Sequence, residues 1–240
     1  MSTNNLFDRR GYDRRLFLWA AIAFVVVTFA GFAQTYYLKP VLSSLPLRTI
    51  THVHGLTMTL WVLFFAVQIF LIRSKSVALH MRLGWLGVAL AATVVVVGVV
   101  TSLQAAKYGS ASSPPGIDRL SFLIVPLGDM LVFGTIFGAA IYYRKNAANH
   151  KRLLLVTAFA VIPAAVARLP VGPLAELGPL WFFGFPDLVL LALVVIDARA
   201  NGRLNRAFAY ATGFLIISHI FRLTVMGSGP WMSVAAWLTR

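Results

Sequence analysis

An all-α bundle of seven membrane-spanning helices is the architecture that this 240-residue sequence predicts. Three observations predict it. The composition is 59% hydrophobic and only 12% charged, with mean hydropathy +0.81, whereas soluble domains carry roughly 25% charged residues. Apolar runs of spanning length recur along the chain, and the basic residues gather in the short turns between them.

A spanning helix needs about 20 mostly apolar residues, and the stretches that meet or approach this are 16–37, 50–72, 83–105, 120–143, 153–169, 179–198 and 207–226. The fifth is short and carries Pro163, so a tilt or kink is expected there. The chain then reads as a single membrane domain over 1–240: a lone helix 16–37, hairpins 50–105, 120–169 and 179–226, and a Trp-bearing interfacial segment 227–240 too short to span. No polar stretch exceeds about 20 residues, well below the ~50 that a small soluble domain needs. The first run, "DRRLFLWAAIAFVVVTFAGFA", has a basic start and ends on Gly31-Phe32-Ala33 like a secretory or twin-arginine signal. Its length and the six runs after it predict an uncleaved first helix.

Orientation follows from the 21 Lys and Arg residues. Fourteen fall on one side: Arg9, Arg10, Arg14, Arg15, Arg73, Lys75, Arg82, Arg144, Lys145, Lys151, Arg152, Arg199, Arg203 and Arg206. Seven fall on the other: Lys39, Arg48, Lys107, Arg119, Arg168, Arg222 and Arg240. The positive-inside rule then places the N-terminus in the cytoplasm and the C-terminus outside, in a bacterial inner membrane. The same distribution accounts for the net charge of +14 without a nucleic-acid partner, because the charge is divided among turns and forms no groove. The expected partner is the lipid bilayer, with a small-molecule ligand as a further candidate. Cysteine is absent, which removes disulfides, thiolate metal sites, thiol nucleophiles and iron–sulfur clusters.

The turns on the basic side share a pattern. "ALHMRL" (78–83) and "ANHKRL" (148–153) both read A-x-H-x-R-L at a separation of 70 residues, and "ANGRL" (200–204) is a shorter echo. This suggests three related hairpins after a lone first helix. His80, Arg82, His150 and Arg152 open helices inside these clusters, where contact with lipid headgroups or a cytoplasmic anion is expected. Asp197 beside Arg199 reads as solvated interface.

Depth along each run selects the unusual polar residues. His52 and His54 stand at the outer end of the second run, Asp129 lies about two to three turns down the fourth, and Asp187 holds a similar level on the sixth. His219 and Arg222 occupy the outer half of the seventh, Arg168 closes the fifth, and Gln34 and Tyr36 close the first. An ionised Asp at such depth costs about 3 kcal/mol or more unless it is paired. His54, Arg168, His219 and Arg222 are the partners at that level. Pro126 and Pro186 precede the two acids and break helical hydrogen bonding near them, as at many sites inside membranes. His52 points away from His54 by about 200° on a helix, so it reads as a bystander.

These residues admit several chemistries. His54, Asp129, Asp187 and His219 could ligate a divalent metal, with Arg168 or Arg222 holding an anion. His54 and His219 could instead ligate a b-type haem, if their helices face one another. A buried Asp and His could relay protons in a coupled transporter. Last, the acids and bases could be structural ion pairs in an assembly subunit. Haem- or metal-based redox or small-molecule chemistry is the leading expectation; a proton-coupled transporter or ligand-binding membrane protein and a structural subunit are the alternatives. No Walker A loop, G-x-S-x-G elbow or dinucleotide fingerprint is present. "PPG" (114–116) and "VGPLAELGP" (171–179) read as outer loops.

Residues 54–84 carry a resemblance. His54-Gly55, Met58, Trp61, the basic turn at Arg73, Leu79-His80 and Leu83-Gly84 resemble the opening half of the cytochrome b561 core. That resemblance implies haem-ligating histidines on consecutive helices and electron transfer across the membrane. The fourth run has no histidine, so the resemblance implies one haem at most. The H-G, L-H-x-R-L-G and H-K-R-L elements also resemble small bacterial polytopic membrane proteins of uncharacterised activity, which implies a topology and no reaction.

Overall fold

The computed structural model describes residues 3–43, 46–109 and 116–240, without the side chains of residues 3–10, 13 and 14. Pro114 and Pro115 of the PPG turn, and the side chains of Arg9, Arg10 and Arg14, lie outside the described residues. Every regular element described is helical. In order these are α1 (Thr3–Phe32), a π-helical turn (Ala33–Tyr37), α2 (Lys39–Leu42), α3 (Thr49–Arg73), α4 (Val77–Tyr108), α5 (Arg119–Phe122), α6 (Ile124–Tyr142), α7 (Ala147–Val161) and α8 (Pro163–Val166). A 3₁₀ turn (Gly172–Leu177) and a second π-helical turn (Leu180–Gly184) lead into α9 (Phe185–Asn201), α10 (Arg206–Val225) and α11 (Gly229–Leu238).

Six stretches are long and apolar enough to cross a membrane: Arg15–Tyr37, Thr49–Arg73, Val77–Tyr108, Arg119–Tyr142, Leu180–Asn201 and Arg206–Val225. The chain is therefore a polytopic helical membrane protein. The fifth expected span differs, because Pro163 divides it into α7, 15 residues long, and the single turn α8. Proline has no N–H to donate to the previous turn and its ring crowds that turn's carbonyl. The fourth stretch is also interrupted, at Leu123 between α5 and α6.

The surface is apolar and the polar groups point inward. Leu131, Leu188 and Ile217 are 67%, 67% and 66% exposed, while Thr157, Asp197, His219 and Arg222 are buried at 0–1%. That is the reverse of a soluble protein and the expected pattern where lipid is the solvent. With no hydrophobic drive between helices in lipid, close contact of small residues holds them together. The buried seam of α4 is Gly87, Ala91, Val94, Gly98, Ser102 and Ala106, roughly one residue per helical turn. A Cβ on Gly87 would meet Phe64 at 2.5 Å, and one on Gly98 would meet the Met130 sulfur at 2.2 Å, so α3 and α6 approach α4 only because these positions are glycine. In the middle of the bundle Trp61 packs edge-on to Phe133 at 5.1 Å, and Phe24 edge-on to Phe65 at 5.5 Å.

α7 is the central helix. Eight of its residues are buried, and it packs against α6, α10, α9 and α1. Its start is set by Asn146, whose side chain caps the Asn149 N–H; Asn205 does the same for α10 at Phe208 N–H. The two caps are joined by a 2.8 Å hydrogen bond from Asn205 Nδ2 to Asn149 Oδ1. These caps, with the Arg73–Ser76 turn and the N-terminus, lie at what we call the basic end. The Trp-rich tail folds into α11 at the opposite end. There Trp231 Nε1 donates to the carbonyls of Leu120 (2.9 Å) and Ser121 (3.1 Å), satisfying backbone left open by the α5–α6 break.

Candidate functional site

Four of the polar groups singled out by depth, Asp129, Asp187, His219 and Arg222, meet, on three helices. His219 and Arg222 are three residues apart on α10 and so share one face. From α9, Asp187 takes both its carboxylate oxygens to His219 Nδ1, at 3.0 and 2.9 Å. Its position in the first turn of α9, just after Pro186, suits an acid at a helix N-terminus. From α6, Asp129 accepts from Arg222 Nη1 at 2.5 Å. The same Nη1 donates to the Val125 carbonyl at 2.7 Å, and Nε donates to the Ser218 carbonyl at 3.1 Å. His219 and Asp129 are near enough for their charges to interact, so the two pairs form one cluster.

Packing fixes this cluster. The Phe183 ring lies 4.2 Å from the His219 ring, nearly parallel, and 5.4 Å from the Arg222 guanidinium carbon. It is therefore a shared platform for both side chains. A Cβ on Gly128 would stand 2.2 Å from Arg222 Cδ, so glycine beside Asp129 is what lets the arginine lie along α6. Burial is nearly complete: side-chain exposure is 2% for His219 and 1% for Arg222, against 13% for each aspartate.

Two nitrogens in this buried cluster have no partner, His219 Nε2 and Arg222 Nη2. Orphaned buried polar atoms are rare and usually mark a water, an ion or a ligand. An ionised carboxylate only accepts, so Nδ1 of His219 carries the proton shared with Asp187. Nε2 is then a lone-pair acceptor in the neutral ring and a donor in the charged one.

The other expected site residues lie elsewhere. His54 is half-buried on α3 with Nδ1 unpartnered, near Arg168, which stacks on Phe32 at 4.9 Å and donates to the Ala164 carbonyl. This second group is placed by close packing: a Cβ on Gly31 would meet the Ala165 carbonyl oxygen at 2.2 Å, and one on Gly55 would meet the Tyr36 ring at 2.2 Å. His52 is exposed, its carbonyl accepting from Tyr36 Oη at 3.3 Å. α3 packs chiefly on α4 and α1, whereas α10 packs on α7, α6 and α9. His54 and His219 are therefore not brought face to face as a haem pair requires. Nor, among the described residues, do three His, Asp or Glu side chains converge as a metal site would need. Among the described residues the donors present do not fit a bis-imidazole haem or a His/Asp cage of three or more ligands.

At the basic end the four expected headgroup contacts separate. Arg82 is exposed. His80 and His150 face each other with ring centroids 6.4 Å apart, His150 Nδ1 lying 2.8 Å from the Ala140 carbonyl. Arg152 differs from expectation: it is 3% exposed and forms a two-pronged pair with Asp197, Nε–Oδ2 2.8 Å and Nη2–Oδ1 2.6 Å. Asp197, read from sequence as solvated beside Arg199, is 1% exposed. The physical reason is that α7 is central, so Arg152 in its second turn faces α9 and not the headgroups.

Phe183 and Gly128 are the contributors to the cluster that sequence reasoning passed over. The signals were faint: a glycine next to a buried acid in "LGDM", and an aromatic run before Pro-Asp in "WFFGFPD". No family model, curated protein or solved structure matches the chain.

Proposed function

We propose that this is a bacterial inner-membrane protein of seven crossings, with its N-terminus in the cytoplasm, that works as a proton-coupled carrier of a small solute. α7 and α8 together run from residue 147 to 166, roughly 30 Å at 1.5 Å per residue, which supports a seventh, kinked crossing. Fourteen of the 21 basic residues at one end support the orientation. The cluster on α6, α9 and α10 then lies in the outer half of the membrane.

The observation that carries the reading is the pair of buried, unpartnered nitrogens, His219 Nε2 and Arg222 Nη2. Ion pairs that only fasten helices have no reason to leave donors open, and burying an open polar group costs about 1–3 kcal/mol. A bound solute would fill those valences. His219, the one histidine in the cluster, supplies a ring that can take up and release a proton.

The test uses the purified protein in liposomes with a pH-sensitive dye inside. Monocarboxylates, neutral amino acids and simple cations are added outside in turn. Proton movement driven by at least one class, and lost in His219→Gln, is the expected result. Traces indistinguishable from empty liposomes for every class would overturn it. A second reading, His219 as a single ligand to haem or a divalent metal, rests on the Asp187–Nδ1 contact, which orients Nε2 as in many metal-bound histidines. A Soret band or stoichiometric metal that disappears in His219→Ala would favour that reading.

A further inference from the structure

We infer that the solute is a small carboxylate or similar oxyanion, gripped by His219 Nε2 and Arg222 Nη2 and taken up together with one proton. This rests on the carrier reading and adds the chemistry of its cargo.

Arg222 spends Nη1 on Asp129 and the Val125 carbonyl and Nε on the Ser218 carbonyl, so Nη2 alone is left to donate. His219 spends Nδ1 on Asp187 and has Nε2 left. Both residues are more than nine-tenths buried and both flank the Phe183 ring. A protonated His219 makes both open positions donors, one from a ring N–H and one from a guanidinium. The complement to two cationic donors borne three residues apart on one helix and packed on one ring is an acceptor-only group with two oxygens.

Charge then decides the coupling. With both aspartates ionised and the imidazole neutral, two negative charges against one arginine leave the cluster one unit negative, and an anion is repelled. With an imidazolium the cluster is neutral, and the anion meets two donors. The charged groups facing His219 are Asp187 from α9, Asp129 from α6 and Arg222 on its own helix. α7, the third helix packed on α10, carries its charged residues Lys151 and Arg152 in its first two turns, at the other end of the bundle. No other charge among the described residues of these packed helices stands in for the proton. The near-complete burial of both donors, and the Phe183 and Gly128 contacts around them, restrict the cargo to a few heavy atoms in contact.

The test is binding of ¹³C-labelled acetate to the detergent-purified protein, followed by NMR line broadening, with proton uptake measured in weak buffer. Nitrate and a neutral amide of the same size are competitors. The expected result is one proton taken up per acetate, competition by nitrate and none by the amide. Affinity should weaken as pH rises, because an unprotonated Nε2 accepts and no longer donates. His219→Gln keeps an amide that can donate to Asp187, so the protein stays folded by its melting curve; its acetate affinity should lose the pH dependence. Acetate binding of equal strength near about pH 5.5 and about pH 8, binding unchanged in His219→Gln, or no binding at either pH, would each overturn the inference, since water would then suffice to fill the two valences. The two readings fail separately. Solute-driven proton flux without acetate binding leaves a carrier of another cargo, whereas acetate and proton binding without flux leaves an anion site that carries nothing.

Discussion

Two buried Arg–Asp pairs sit at opposite ends of the bundle, and they are built differently. At the basic end Arg152 and Asp197 meet through two parallel bonds, Arg152 Nη1 reaches the Ala148 carbonyl at 2.9 Å, and Asn201 Nδ2 adds a 3.1 Å bond to the same carboxylate. At the other end Arg222 and Asp129 meet through one nitrogen, and the cluster around them leaves Arg222 Nη2 and His219 Nε2 open. A saturated ion pair holds helices together, and its energy is spent on structure. An unsaturated one holds free valence, which is what a binding site needs. Burial alone does not separate them, because both arginines are almost inaccessible.

Substitutions at the two pairs should have opposite consequences for stability and for binding. The largest effect is expected at the saturated pair. Arg152→Leu strands Asp197 in the interior and should cost about 3–5 kcal/mol, read as loss of the folded fraction in detergent; Arg152→Leu with Asp197→Leu should recover most of it. Recovery would mark a purely structural pair, whereas a stable double variant that no longer moves protons would erase the distinction. Next comes Gly128→Ala, whose methyl would run into Arg222 Cδ at 2.2 Å. Overpacking of this kind costs about 1–3 kcal/mol, and displacement of the guanidinium should also abolish anion binding. Trp231→Phe removes the indole donor from the Leu120 and Ser121 carbonyls and should lower stability by about 1 kcal/mol, without touching acetate affinity. The smallest stability change belongs to His219→Gln, about 1 kcal/mol or less, since the amide still donates to Asp187; its melting curve should barely move while solute-driven proton flux disappears. A site variant with a small stability effect and a large functional one, set against a structural variant with the reverse, is the outcome that the two pairs imply.

The intramembrane residues were legible because lipid makes ionisable groups conspicuous. Asp129, Asp187, His219 and Arg222 stood out in apolar runs of predictable direction, and helical rise put them at one level. Depth is one coordinate of three. It did not separate His54 and Arg168, at the same level but grouped with Phe32 near α1, from His219 and Arg222, grouped with Phe183. Nor could it reveal that Arg152 faces α9, because which helix occupies the centre follows from neighbour packing and not from hydropathy. α7 opens the shortest of the seven apolar runs, and a helix surrounded by protein needs less lipid-compatible surface than one at the rim.

Sequence alone determined the solvent of this protein, the approximate ends of its helices and the level at which its rare charges lie. These are one-dimensional quantities, set by transfer of side chains and backbone from water to lipid. Tertiary structure decided which charge meets which, that Gly128 and Phe183 seat Arg222, and that one ion pair is closed while the other leaves two nitrogens unused. Those outcomes depend on how helices rotate and pack against one another, where free-energy differences come from close contacts between residues far apart in the chain.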